Sequence, residues 1–555
     1  MSASSKKKLR REQNAAQLTE KQVQEQNEAK KLKNYTLIFT IAIALVLVAS
    51  IVTIAITGVG STGIFERNTK ALIVGEHELS AADLNYYYMD VIYRTHNEWS
   101  QYYGDYMSLF LQISEGLDLN KPLDKQQYHT EDKTWADHFA EAAVEEAKNM
   151  LALYDHAVAN NRTLTEEELA DVEETIMAME TEATLIRGFN NLPDYLKAMY
   201  GRGATVEGFR EYLKTLTLVQ LYYSENYDAF TYEDADLRKQ DSENPSKYSN
   251  YNFTYFQVDP SAFILCTASA DDKEHKHTEE ELSAALTAAE AAAKSLVASK
   301  ATNVDQLNKA IKELEQYKDS TAKAVHSEHT AYSKISTTIA DWLTEEGRKE
   351  GDIAALPHET TTTAEDGTET TKVTSYYVVI FHSVEDNKVN MVDIRHILIP
   401  IENAKTDDSG NTVYSEEDKA AALEKINAIK AEYDASEKTE EIFAELAKKN
   451  SKDGSASIGG LYENVYPHQM VSAFNDWCFD ANRKPGDVEV VETEYGYHLI
   501  YFVKTQDVQY RDYLIENELR AADAEEWFNS VTESKPFTVI DLSRLDLDLI
   551  MGTGI

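Results

Sequence analysis

Ile394-Arg395-His396-Ile397-Leu398-Ile399 and Thr493-Glu494-Tyr495-Gly496-Tyr497-His498-Leu499-Ile500-Tyr501-Phe502 decide the fold of this 555-residue chain. Each run is dense in β-branched, aliphatic and aromatic residues, and each sets one histidine among apolar neighbours, so both read as buried strands. Between them a polar loop leads to Ser415, a helix cap ahead of Ala422, Ile426, Ile429 and Tyr433 at three- and four-residue spacing. A second helix contributes Phe443, Leu446 and Ala447. Then come Asn450-Ser451-Lys452-Asp453-Gly454-Ser455-Ala456-Ser457, the diglycine Gly459-Gly460, and Gln469-Met470-Val471 with Phe474. These elements predict an α+β unit over 389–505.

Upstream lies a second copy. Asp341-Trp342, Arg348-Lys349 and Gly351-Asp352 recur at identical spacing as Asp476-Trp477, Arg483-Lys484 and Gly486-Asp487. Each set precedes an apolar strand ending in an aromatic, Tyr376 to Phe381 and Tyr497 to Phe502, and each unit opens on a strand, Phe253 to Val258 and Ile394 to Pro400. An internal repeat of this kind predicts two copies of one supersecondary unit, 251–388 and 389–505.

The ordered set over 390–505 resembles the parvulin family of peptidyl-prolyl isomerases. The resemblance implies a site of His396 and His498 on neighbouring strands, with Thr493 bonded to the second histidine. Asp453 stands where parvulins have Cys or Asp and is expected to face the carbonyl of the rotating bond. Met470 and Phe474 match the apolar pocket for the proline ring, and Tyr462 stands where the family usually has a leucine. Catalytic roles are therefore expected for His396, Asp453, Thr493 and His498, and substrate contacts for Tyr462, Met470 and Phe474. In the first copy the two histidine positions fall at Tyr255 and Tyr377, and no Gln-Met-Val-x-x-Phe is present, so that copy is expected to lack activity.

The flanks read differently. Tyr35 to Ile56 runs 22 residues without a charge, enough for one membrane-spanning helix. Nine bases and four acids precede it, which predicts a cytoplasmic tail over 1–33, a transmembrane helix over 34–57 and everything later outside. A cleaved signal peptide is the alternative, although the run exceeds the usual ~7–15-residue apolar core of one. Residues 58–250 read as helices: Ser80 caps the helix from Ala81, and Thr165-Glu166-Glu167-Glu168 is a capping box. Tyr86, Tyr87, Tyr88, Trp99, Tyr102, Tyr103 and Tyr106 line a peptide groove or fill a core. In foldases of the PrsA and SurA type, which the chain resembles, the segment after the isomerase unit folds back onto the N-terminal part; that resemblance implies that over 506–555 a helix, Asp512 to Val531, and a strand, Phe537 to Leu542, return to Ala71–Val74. Anchor and split helical flanks together resemble extracytoplasmic foldases of the PrsA and SurA type. The expected fold is thus α+β: a helical chaperone domain with two inserted parvulin-like units, behind one transmembrane helix.

Charge and cysteine content narrow the partners. The net charge is −42, and 92 of the 96 acids lie beyond residue 57 against 45 of the 54 bases. That balance argues against nucleic acid, which needs a basic face. Two cysteines 212 positions apart, Cys266 and Cys478, exclude a disulfide framework or a cysteine-based metal site. Glu274-His275-Lys276-His277 reads as a solvated loop, so neither cofactor nor metal is expected. Only Lys405 is basic between Pro400 and Tyr414, which predicts a preference for unphosphorylated chains. The function expected is isomerisation of X–Pro bonds in secreted or surface proteins at the cell membrane of a Gram-positive bacterium, with chaperone-type binding of unfolded, newly exported polypeptides. A non-catalytic tethered chaperone is the alternative, and a homodimer is left open.

Overall fold

The computed structural model describes residues 62–129, 132–264, 277–363, 368–406 and 412–547. The expected tail, membrane span and nearly all of the Glu274–His277 cluster lie outside the described residues. Among the described residues no helix is long and apolar enough to cross a membrane.

Two compact units are formed, one by the chain up to Phe230 with Asp523 onward, the other by Thr231–Ala522. In the first, Lys70–Val74 is the middle strand of a three-stranded antiparallel sheet between His77–Ser80 and the returning Phe537–Val539. Leu72 pairs with Val539 and Val74 with Phe537. The capping boxes form as their sequences require: Ser80 and Asp83 close one onto helix Ala81–Tyr103, Thr165 and Glu168 another onto Glu166–Thr181. Tyr86, Tyr87 and Tyr88 are buried in the helical core with Phe209 and Tyr212 and line no groove. Of the seven aromatics in question, Tyr102 and Tyr106 are exposed. Residues 86–88 lie in the first half of the helix; further along it Trp99 and Tyr103 still pack against the core, Trp99 edge-on to Trp135 at 6.2 Å.

The second unit contains two four-stranded sheets of one topology. In the first copy the order is Val325–Ala331, Asn250–Val258, Glu369–Glu385, Ile353–Thr363, and in the second Leu461–Val465, Asn390–Pro400, Gly496–Gln509, Val488–Thr493. The repeated motif is an anchor for the closing strand of each sheet. The Arg348 guanidinium lies 3.8 Å over the Trp342 ring and that of Arg483 3.9 Å over Trp477. Each arginine also donates to its tryptophan's carbonyl at 3.1 Å. Gly351 and Gly486, at φ 85° and 89°, turn the chain so that their amides donate to Phe381 and Phe502. The repeat therefore encodes sheet closure, which is why it is shared by a copy that keeps the histidines and one that does not.

In the second copy Ser415 caps helix Glu416–Asp434, whose buried stripe is Ala422, Ile426, Ile429 and Tyr433. With Phe443, Leu446 and Ala447 of helix Glu440–Asn450 it covers one face of the sheet around Ile397, Leu499 and Tyr501. The opposite face packs Phe474 and Trp477 of the short helix Ser472–Cys478 against Ile394, Ile500 and Phe502. Cys478 is buried there as a free thiol.

Candidate active site

Strand alternation puts His396 and Leu398 on one face of their strand, and pairing of His498 with Leu398 sets the second histidine beside them. Phe474 lies edge-on to both rings, with centroids 5.4 and 5.2 Å away. Approach of the neighbouring chain depends on Gly460, at φ 72°: its carbonyl accepts from the His396 amide at 2.9 Å, and a Cβ on it would sit 2.2 Å from the His396 carbonyl oxygen. No residue but glycine fits that approach, which gives the diglycine its reason.

His396, Asp453, Thr493 and His498 form one polar row. His396 Nδ1 is 3.1 Å from His498 Nδ1, His498 Nε2 is 2.9 Å from Thr493 Oγ1, and His396 Nε2 is 3.2 Å from Asp453 Oδ1. The last contact is a close polar approach of the carboxylate to the ring nitrogen, off the line of a good hydrogen bond. Asp453 Oδ1 is already engaged: it accepts from the Ser455 amide at 2.9 Å, from the Ser455 hydroxyl, and from Tyr462 Oη at 3.1 Å. Asp453 thereby caps the turn Gly454–Ile458 as well as facing the pocket.

These contacts order the protons. Burial works to raise the Asp453 carboxyl, but the Ser455 hydroxyl and amide and nearby His396 outweigh it and hold it at about 2. Desolvation, then the neighbouring His396, push His498 down to about 4, and desolvation lowers His396 against the pull of Asp453. Both rings are thus neutral at pH 7. The carboxylate assigns the proton of His396 to Nε2, leaving its Nδ1 to accept from His498 Nδ1–H; His498 Nε2 then accepts from the Thr493 hydroxyl.

Above the row opens a cavity of about 360 Å³ lined by His396, Leu398, Asp453, Tyr462, Gln469, Met470, Val471, Phe474, Tyr495 and His498. Every site residue expected from the sequence is brought to it except Thr493, which lies behind His498. Leu398, Gln469, Val471 and Tyr495 were not assigned a role; Leu398 was findable, being two residues from His396 on the same strand face. Burial of Tyr462 and the charge of Asp453 keep the phenol protonated and able to donate to that carboxylate. Its ring becomes a side wall, and the cavity stays open despite the change from leucine.

Such a site suits rotation about an amide. The barrier of an X–Pro bond, ~18–20 kcal/mol, is the resonance lost on twisting. A twisted amide carries less charge separation than a planar one, so a desolvated pocket floored by two neutral imidazoles binds it better, and catalysis follows from that difference. No acyl nucleophile is needed, because no bond is broken.

The first copy lacks this arrangement. Phe381 and Phe502 occupy the same place in their anchors, and counting from them through the strand register puts Tyr255 at the place of His396 and Tyr377 at that of His498. The two tyrosine rings meet edge to face at 6.1 Å.

Residues 377–506 match the family described as the PPIC-type PPIASE domain. Among solved structures, the chain is similar to the PPIASE domain of TBPAR42, at 25% identity over 20% of this chain and 99% of that one, with a TM-score of 0.17. It is also similar to the peptidylprolyl isomerase PrsA from Bacillus anthracis, at 21% identity over 27% of this chain and 61% of that one, with a TM-score of 0.17. For PrsA from Bacillus subtilis the identity is 13%, over 77% and 97% of the two chains, with a TM-score of 0.28. No curated protein matches the chain. On the family match and the site geometry, the second α+β copy within the matched residues 377–506 is a parvulin-type peptidyl-prolyl cis–trans isomerase domain.

Proposed function

We propose that the whole chain is an extracytoplasmic foldase of the PrsA and SurA type, which holds unfolded polypeptides on its helical unit and isomerises their X–Pro bonds in the second parvulin-like unit, 389–505. The observation that carries the catalytic half is the open apolar cavity floored by the neutral His396–His498 pair. The holding half is supported by a run of exposed apolar side chains, Tyr102, Tyr106, Leu109, Phe110 and Ile113, at the end of the helical core. A separate cavity of about 430 Å³ in the same unit is walled by Met150, Leu153, Val219 and Phe528 and edged by Asp90, Arg94 and Glu146. Return of Phe537–Val539 to the Lys70–Val74 strand supports the split-domain organisation. In this reading 1–33 is cytoplasmic, 34–57 anchors the chain in the membrane, and 251–388 is a unit without isomerase activity.

The test separates the halves. Met470→Ala is expected to lose isomerase activity on an unphosphorylated X–Pro peptide and still suppress aggregation of an unfolded client. Tyr106→Ser with Ile113→Ser is expected to do the reverse. Loss of both activities together in either folded variant would contradict the division.

A further inference from the structure

We propose that His329, Glu385 and His468 form a binding site for a divalent transition metal of the zinc class, fastening the first α+β copy to the loop that carries Gln469 and Met470 in the second.

One ligating atom from each residue lies within 4.8 Å of the other two. Two imidazoles and one carboxylate form a donor set well suited to zinc, with a water free to complete four-coordination. The chain spacing makes the site conditional on the fold: His329 and Glu385 belong to the first copy and His468 to the second. Each donor is positioned from outside. Asn252 accepts from the His329 amide at 2.7 Å and donates to Glu385 Oε1 at 2.8 Å, while Asn475, itself buried, accepts from the His468 amide at 2.7 Å. Glu385 Oε1 is also 2.7 Å from His329 Nδ1, so these two donor atoms already sit together and a metal ion would take the place of the proton between them.

The rings stack at 3.3 Å and 6°, so their in-plane lone pairs run parallel. His468 is exposed, so its imidazole has room to turn about χ2 towards the ~2.0–2.1 Å nitrogen distance that zinc takes. The connection to the isomerase is short, since Asn475 follows the pocket residue Phe474 and Gln469 and Met470 follow His468. A metal here would restrain that loop from the side of the first copy.

The experiment is a Co²⁺ titration of the untagged, chelator-treated full chain in detergent micelles, followed by displacement with Zn²⁺. Expected are visible bands saturating at one equivalent and erased by zinc. The bands should be lost in H329A and in H468A, both folded by circular dichroism, weakened ~10–100-fold in N252A, and unchanged in H275A/H277A. Absence of bands in the wild type, their persistence in H329A/H468A, or their loss in H275A/H277A would overturn the site.

Discussion

His396 and His498 face each other through their Nδ1 atoms at 3.1 Å, so a single proton serves both nitrogens and the pair cannot carry two charges at that distance. The site's pH behaviour follows.

Because burial and His396 hold His498 at about 4, the unfolded chain binds a proton between pH 6.5 and about 4 that the folded chain refuses. Stability should therefore fall as pH falls through that window, and fall again between 3.8 and about 2 as Asp453 is protonated. Isomerase activity should be level from pH 8 to 6. Imidazole NMR titration checks this: a His498 midpoint near 6.5 would refute the neutral floor.

Removing the walls should separate binding from folding. Phe474 is buried against both histidines, and Phe474→Ala is expected to cost ~3–5 kcal/mol of stability along with activity. Met470 is only partly buried, so Met470→Ala should remain folded and lose activity. Urea melts run beside the rate assay distinguish the two outcomes.

Tyr462 contributes a ring and a hydroxyl in different ways. Tyr462→Phe removes one bond to Asp453, worth about 1–3 kcal/mol if the carboxylate finds no replacement, and should leave most activity. Tyr462→Ala removes the wall and should raise KM. Equal loss in both variants would assign the role to the hydroxyl.

The diglycine should be intolerant where its neighbour is not. Gly460→Ala drives a Cβ to 2.2 Å from the His396 carbonyl oxygen and should unfold the unit, whereas Gly454, with nothing within 4 Å of its Cβ position, should accept alanine at little cost. Thermal melts of the two variants check the contrast.

How much of this was legible in the sequence depended on the range of the contact. The Ser80 cap, the capping box at Thr165 and the stripe of helix Glu416–Asp434 follow from short patterns of polarity and could be read directly, whereas the pairing of Phe537–Val539 with Lys70–Val74 was legible only through the family resemblance. The His396–His498 contact was readable through the family resemblance, which sets the two histidines on neighbouring strands. The Tyr462–Asp453 bond was not, since it depends on where the Gly454–Ile458 turn delivers a side chain. Burial of Tyr86–Tyr88 was not either, because aromatics at helical spacing look alike whether covered by another helix or by a client. The His329–His468 stack joins an edge strand of one copy to a turn of the other, and no local pattern encodes that meeting.

The central claim is that the His396–His498 cavity binds a twisted X–Pro amide better than a planar one. Its most direct test is cis/trans exchange of an unphosphorylated X–Pro peptide, measured by NMR with the full chain and with Met470→Ala at equal concentration. The account predicts acceleration well beyond the uncatalysed tens to hundreds of seconds for the wild type and near-uncatalysed exchange for the folded variant. Uncatalysed exchange with folded wild-type protein, or equal acceleration by Met470→Ala, would contradict it.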